Sequence, residues 1–189
     1  ARFLEPDSGQ LIINGQLAIN CDFCLHQITE KTAAVIFETI QGGAGFIEPQ
    51  GNFLAKVKAK CDEVGALLIL DEIQTGIGRT GKFWGFENYN VTPDIIITGK
   101  GLGGGMPIGA FIASNKHMSL LKENPKLGHI STFAGHPVIA AAGKATINEI
   151  LQTKLISETL KKEKLIRKYL QHNLILEIRG KGLMLAAIV

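Results

Sequence analysis

The apolar residues of this chain gather in short continuous runs. Three such runs cover residues 33–37, 66–70 and 95–98, and each is followed by a charged residue or by glycine. Continuous apolar runs of this length, with Val, Ile and Leu dominating, are typical of strands buried on both faces of a parallel sheet. The pattern therefore predicts three central strands, the first ending at Glu38 and the second at Asp71.

Helical spacing appears between and after these strands. In residues 52–64, the apolar side chains Phe53, Val57, Cys61 and Val64 fall on one face, and Gly65 then ends the helix. Pro137 suits the first turn of a helix reaching about Gln152, and a basic helix to about Asn173 follows. Shorter strands are predicted at residues 108–113, 174–178 and 183–189. Strands alternating with helices predict an α/β fold built on a mostly parallel sheet.

Composition narrows the function classes. The 189 residues are 46% apolar and 20% charged, which fits one globular domain or a domain with an appendage. A net charge of +3 does not indicate nucleic acid or an acidic membrane surface as partner. No apolar run approaches the roughly 18 residues of a membrane span. The odd, low number of three cysteines predicts a reducing compartment, the cytoplasm. Because the chain starts at Ala1 and stops inside a strand-like run, we expect it to be a piece of a longer protein.

The cysteine pair Cys21 and Cys24 has the spacing of a metal or redox motif. No second pair and no histidine pair at metal-ligand spacing accompanies it. We therefore interpret the two cysteines as small apolar residues and predict no metal site.

Charged residues stand where the predicted strands end. Glu38 and Asp71 close the first two strands, and Lys100 follows the third after Gly99. Carboxyl ends of neighbouring parallel strands open onto one crevice, where ligands bind. A structural ion pair or plain surface termini remain the alternative. A lysine desolvated in such a crevice has a lowered pKa and forms a Schiff base with an aldehyde, and an aspartate beside it can hold a pyridinium N–H. Lys100 with Asp71 is thus compatible with pyridoxal phosphate (PLP) chemistry.

Several dispersed motifs resemble class III aminotransferases, closest to the acetylornithine and ornithine aminotransferase group. The resemblance runs from about Thr29 to Val189 and rests on residues 70–76 (LDEIQTG), 78–81 (GRTG), 93–95 (PDI) and 99–109 (GKGLGGGMPIG). It implies the large domain of PLP fold type I, with a mostly parallel central sheet and helices on both faces, here incomplete. The domains it implies are a poorly legible segment 1–28, the central part of the PLP-binding domain over 29–152, and a helix with the start of the C-terminal small domain over 153–189.

The resemblance also implies roles for single residues. Lys100 matches the lysine that binds the cofactor aldehyde, Asp71 the acid that pairs with its ring nitrogen, and Gln74 the side chain that hydrogen-bonds its phenolic oxygen. Ser131 and Thr132 match a segment whose threonine reaches the PLP phosphate of the partner subunit in a homodimer. Glu38 matches a glutamate beside the substrate. The implied reaction moves an amino group from an ω-amino donor to a 2-oxo acid such as 2-oxoglutarate, and no metal takes part.

The chain departs from the family in two respects. Where relatives have Glu-Pro-x-Gln-Gly-Glu, residues 38–43 read ETIQGG, so that Gly43 replaces a glutamate that helps gate the substrate carboxylate site. The segment that carries the phosphate-binding loop and a ring over the cofactor is not found upstream, and the downstream arginine for the substrate α-carboxylate is not found either. A non-catalytic fragment or pseudoenzyme that keeps the fold core is therefore an alternative.

A dinucleotide-binding site is a second alternative, since Gly99, Gly101 and Gly104 fit the pattern GxGxxG after a strand. That pattern requires a helix whose N-terminus holds the phosphates. Pro107 and the strand-like run 108–113 follow instead, which argues against a nicotinamide oxidoreductase. His129 and His136 lie near Thr132 in sequence, and we expect structural roles for them.

Overall fold

The computed structural model describes residues 2–4, 11–13, 25–122, 126 and 130–189. Most of the predicted N-terminal segment, the Cys21–Cys24 pair and His129 lie outside these residues. The described chain forms a six-stranded sheet, helices that pack against it, and a separate two-stranded sheet.

The six-stranded sheet has the order β2-β1-β3-β4-β5-β6. Its strands are β1 (Arg2–Leu4), β2 (Leu11–Ile13), β3 (Ala34–Glu38), β4 (Leu67–Asp71), β5 (Ile95–Gly99) and β6 (Gly109–Ala113). The central strands β3, β4 and β5 are parallel to one another, while β1 and β6 run against them. Since β2 is antiparallel to β1, four of these six strands share one direction. The predicted mostly parallel α/β fold is confirmed.

Helix α1 covers one face of the central sheet. Helix α1 (Phe53–Val64) packs its buried side chains Phe53, Leu54, Val57 and Cys61 into one core with Leu68 and Leu70 of β4. Leu67, Ile69 and Asp71 alternate with these residues and are only partly buried. Because side chains alternate across a strand, Asp71 lies on the face opposite α1.

The end of α1 confirms the helix stop predicted at Gly65. Gly65 has a left-handed conformation with φ 79°, and its N–H donates to the carbonyl of Cys61. Glycine adopts this conformation without the steric cost that other residues meet, so it ends the helix and turns the chain into β4.

The chain after β5 differs from the strand–loop–helix arrangement that a GxGxxG dinucleotide site requires. Lys100–Gly103 forms one 3₁₀ turn, and β6 follows and pairs antiparallel with β5, Gly99 opposite Gly109. The helix N-terminus that a pyrophosphate needs is therefore absent after this pattern, as the sequence predicted.

The C-terminal part contains α3 (Pro137–Gln152), α4 (Leu155–Tyr169) and a hairpin of β7 (Glu177–Lys181) and β8 (Met184–Ile188). The short helix α2 (Asn115–Ser119) precedes them. Helix α4 ends four residues before the predicted Asn173 because Leu170 leaves the helical conformation at ψ 70°. No helix in the described ranges is long and apolar enough to cross a membrane.

Candidate active site

The three charged residues predicted to share a crevice lie at one edge of the sheet. Glu38 and Asp71 are direct register partners at the ends of β3 and β4, and Asp71 is the partner of Ile97 on β5. Lys100 follows three residues after Ile97, which limits its Cα to about 11 Å further along the chain. The structure thus places Glu38, Asp71 and Lys100 at the carboxyl ends of three adjacent parallel strands.

Lys100 is exposed and has an unusual backbone conformation. Its φ is 42°, in the left-handed region that residues with a β-carbon rarely adopt. Its Nζ lies 3.4 Å from Oε1 of Gln74. Nζ has no carboxylate within 4.0 Å among the described residues, so a structural ion pair between Asp71 and Lys100 is not formed. The amine therefore remains available to a ligand.

The two carboxylates are held by backbone N–H groups of the loops that follow them. Oδ1 of Asp71 accepts from Ile73 N at 2.9 Å, and Oε2 of Glu38 accepts from Gly42 N at 2.5 Å. As register partners on the same face, Glu38 and Asp71 bring two like charges side by side, an arrangement that destabilises a sheet unless a cation lies between them. This edge is therefore suited to a ligand that carries a proton or a positive charge.

Gln74 is fixed between Lys100 and the loop after β3. A β-carbon added to Gly42 would lie 2.6 Å from Oε1 of Gln74 and 3.6 Å from Oε1 of Glu38. A larger residue at position 42 would therefore displace the amide of Gln74. Gly43, by contrast, is exposed, and a β-carbon there would meet no atom within 4 Å.

A cavity of about 230 Å³ opens beside Lys100 and Gln74. One wall comes from the loop after β4, and the opposite wall comes from the start of β8. The lining residues are Phe46, Ile73, Gln74, Gly76, Ile77, Arg79, Lys100, Gly101, Leu183, Met184 and Leu185. Asp71 and Glu38 do not line this cavity. The β8 wall was not predicted, because it depends on a contact between segments more than a hundred residues apart, such as Leu183 and Arg79, with no local signal.

Close backbone packing holds that wall in place. Leu183 N donates to the carbonyl of Arg79 at 2.9 Å, and a β-carbon on Gly182 would lie 2.5 Å from the same carbonyl oxygen. The motif at residues 78–81 and the glycines of residues 180–182 therefore form one joint between the sheet edge and the C-terminal hairpin.

Ser131 and Thr132 have no described contact with Glu38, Asp71 or Lys100. Both are exposed on a turn that leads into α3, and the carbonyl of Ser131 accepts from Ala134 N at 3.0 Å.

Glu72 is a residue to which the sequence assigned no role. It is fully buried, with 0% exposure, one position after Asp71. Burial raises the pKa of its carboxyl, and hydrogen bonds from Thr39, Gly85, Thr75 and Phe86 oppose that rise. The signal that would have found it is the alternation of β4, which turns the side chain after Asp71 toward the core.

The residues present fit a PLP cofactor in their donor set. The aldehyde of the cofactor requires an amine without an ion-pair partner, and Lys100 offers one within the described chain. The protonated ring nitrogen requires a carboxylate, which Asp71 offers at the neighbouring strand end, and the phenolic oxygen requires an amide, which Gln74 offers. No described group of three histidine, cysteine, aspartate or glutamate side chains is arranged to hold a metal ion.

Comparison with known proteins places these features in a family. Residues 10–188 match the model of the family described as Aminotransferase class-III. A putrescine aminotransferase of Pectobacterium atrosepticum is 49% identical over 164 residues, which cover 83% of this chain and 35% of that protein. This chain thus spans about a third of the length of that relative.

Solved structures of aminotransferases also match this chain. An ornithine aminotransferase from Plasmodium yoelii matches with a TM-score of 0.70 at 38% identity, over 79% of this chain and 40% of that one. A taurine:2-oxoglutarate aminotransferase from Bifidobacterium kashiwanohense, solved with PLP and glutamate, matches with a TM-score of 0.79 at 30% identity, over 89% and 39%. With the fold, the strand-end residues and the family model in agreement, this chain belongs to the class III aminotransferases.

Proposed function

We propose that the protein containing this chain is a PLP-dependent transaminase. It would move an amino group from an ω-amino donor, of the ornithine or acetylornithine kind, to a 2-oxo acid such as 2-oxoglutarate. The observation that carries the proposal is the arrangement of Glu38, Asp71 and Lys100 at the ends of three adjacent parallel strands, with Lys100 Nζ beside Gln74. The donor stays open, because the similar proteins include putrescine, ornithine and taurine aminotransferases.

The bound cofactor supplies an electron sink for the pair released when a substrate C–H bond breaks. Lys100 would hold the cofactor through its amine and, once displaced by the substrate, move the proton at the substrate carbon. Asp71 would keep the ring nitrogen protonated by charge. Gln74 would hydrogen-bond the phenolic oxygen, and Glu38 would contact the substrate at the adjacent strand end.

We extend the proposal to the assembly and the domains. Ser131 and Thr132 would bind the cofactor phosphate of a second subunit in a homodimer. Ile130, Phe133 and Val138 around them are 62%, 74% and 58% exposed, an apolar surface of the kind that subunit interfaces bury. Residues 29–152 would form the centre of the PLP-binding domain and 153–189 the helix and start of the small domain. The low cysteine count supports a cytoplasmic location.

A panel of amine donors on the full-length protein tests the proposed reaction. With PLP and 2-oxoglutarate present, we expect glutamate to form with at least one of ornithine, N-acetylornithine, putrescine, 4-aminobutyrate and taurine. Binding of PLP is followed by its visible absorbance, with NAD(H) as the competing ligand. Failure to bind PLP, or binding of NAD(H) in its place, would overturn the proposal. PLP binding with no turnover of any donor would favour the pseudoenzyme instead.

The assembly is tested separately by the molar mass in solution. Phe133→Asp places a charge on the exposed surface and is expected to shift the protein toward monomer and weaken cofactor binding. Phe111→Asp is the control, because Phe111 is also exposed, at 48%, but belongs to strand β6. An unchanged dimer with Phe133→Asp would contradict the assignment of the interface.

A further inference from the structure

The carboxyl group of Glu72 joins the segments around the candidate site. It lies on the α1 side of the sheet, whereas Asp71 lies on the opposite side, because successive side chains alternate. Across β3 and β4, the register pairs Val35 with Leu68 and Phe37 with Leu70. Thr39 and Glu72 continue that row at the strand ends, directly behind Glu38 and Asp71.

Both carboxylate oxygens of Glu72 accept hydrogen bonds from three different segments. Thr39 Oγ1 and Phe86 N donate to Oε1, the latter at 2.9 Å. Thr75 Oγ1 and Gly85 N donate to Oε2 at 2.8 and 2.7 Å. Donors from the end of β3, from the loop after β4 and from the 3₁₀ turn Gly85–Tyr89 therefore converge on one side chain.

The backbone of Glu72 is fixed as well. Its N–H donates to the carbonyl of Ile97 on β5 at 2.8 Å, and its carbonyl accepts from Gly76 N at 3.0 Å. A β-carbon on Gly85 would lie 2.8 Å from Cβ of Thr75 and 3.0 Å from Oε2 of Glu72. The packing around the carboxylate thus leaves no room for a side chain at position 85.

A buried carboxylate without a cationic partner is costly, and apolar residues of similar volume are often at least as stabilising. No ion pair with a described basic residue compensates Glu72. Four hydrogen bonds instead hold the carboxylate directly behind the candidate site, and this arrangement points to a role in geometry. We propose that Glu72 is a positioning residue that holds Asp71 and the Gln74 loop in register with Lys100, an inference that rests on the proposed function.

Glu72→Gln tests the proposal in the full-length protein. The amide nitrogen of glutamine cannot accept, so the two donors on one side of the group lose their acceptor. We expect cofactor affinity to fall about 10-fold or more, a loss similar to that seen when a residue that orients a metal ligand is replaced. We also expect a larger change in kcat than in the KM for the amine substrate. Hydrogen exchange of the cofactor-free protein should speed up at residues 72–76 and 85–86.

Two controls separate positioning from general loss of stability. Leu54→Ala opens a cavity in the core under α1 and lowers Tm without touching Glu72, so cofactor affinity should hold. Thr98→Val removes a buried hydroxyl that has no hydrogen-bond partner in the described chain, so it should hold or raise Tm and leave cofactor affinity unchanged. If Leu54→Ala with the same loss of Tm weakened the cofactor as much as Glu72→Gln does, the positioning role would be refuted.

Thr75→Val is the second variant for this test, and it is used if the Glu72→Gln protein does not fold. It removes one donor and leaves three, and we expect a smaller loss of cofactor affinity in the same direction. Wild-type affinity and kcat in either Glu72→Gln or Thr75→Val would overturn the proposal. A wild-type protein that takes up no PLP would refute the proposed function instead, and the exchange rates of residues 72–76 then decide whether Glu72 holds the loop.

Discussion

Nζ of Lys100 lies 3.4 Å from Oε1 of Gln74, across the edge where β5 and the loop after β4 meet. This contact joins the amine that would bind the cofactor to the amide that would bind its phenolic oxygen. A distance of this length is a weak hydrogen bond, so a ligand that offers better partners can displace it without much cost.

Lys100→Ala removes the amine and is expected to abolish the visible absorbance of lysine-bound PLP. Turnover should fall by at least about 10²–10⁴-fold, the contribution of a positioned proton-transfer group. Spectra and steady-state rates measure both effects. Lys116→Ala, at an exposed lysine of α2, is the control and should behave as wild type. A Lys100→Ala protein that kept the band and turned over would exclude Lys100 as the cofactor-binding residue.

Asp71→Asn keeps the shape of the side chain and its bond from Ile73 N, but removes the charge. We expect the protein to fold normally, to bind PLP more weakly and to turn over more slowly, because a neutral amide does not keep a ring nitrogen protonated. Asp62→Asn, at an exposed partner of Lys58 on α1, is the matched charge control. Equal PLP affinity and equal rates in the two variants would show that Asp71 does not serve the cofactor.

The central strands β3, β4 and β5 could be predicted because their signals are local. No strand was predicted at β1 or β2, and β7 lies at Glu177–Lys181 instead of the predicted residues 174–178. Apolar runs ending in Glu38 and Asp71, and Gly65 at the end of α1, each lie within a few neighbouring residues. The alternation of β4 turns Glu72 toward the core, but its hydrogen bonds could not be predicted in the same way, since the donors Thr39 and Gly85 are 33 and 13 residues away. The cavity wall at residues 183–185 depends on the packing of Gly182 against Arg79, which no periodicity reveals.

Gly43→Ala should stabilise the chain by about 0.4–1 kcal/mol, because alanine restricts the unfolded state and its β-carbon would meet no atom within 4 Å. Gly45→Ala is the matched comparison two residues away, where φ is 91°, and it should destabilise. Denaturant unfolding measures both. Destabilisation by Gly43→Ala would indicate that residue 43 contacts a part of the protein outside the described chain.

The buried thiol of Cys61 should lower the free energy of unfolding as the pH rises in the alkaline range. Burial raises the pKa of its thiol from 9.0 to about 11. The unfolded thiol ionises first, so this contribution is complete below pH 9 and is lost as the pH rises toward 11, a change of about 2–3 kcal/mol. The difference between wild type and Cys61→Ala in unfolding free energy from pH 7 to 11 isolates it. A difference that stays constant over this range would contradict the assignment.

The φ of 42° at Lys100 affects any attempt to stabilise this protein by mutation. At this position the backbone prefers glycine, whereas the proposed chemistry demands a primary amine. Selection for resistance to heat or denaturant alone would favour Lys100→Gly, a variant that is more stable but, under the proposed function, inactive. Robustness and reactivity compete here for a single residue, and a library that screens for both would have to leave this codon unchanged.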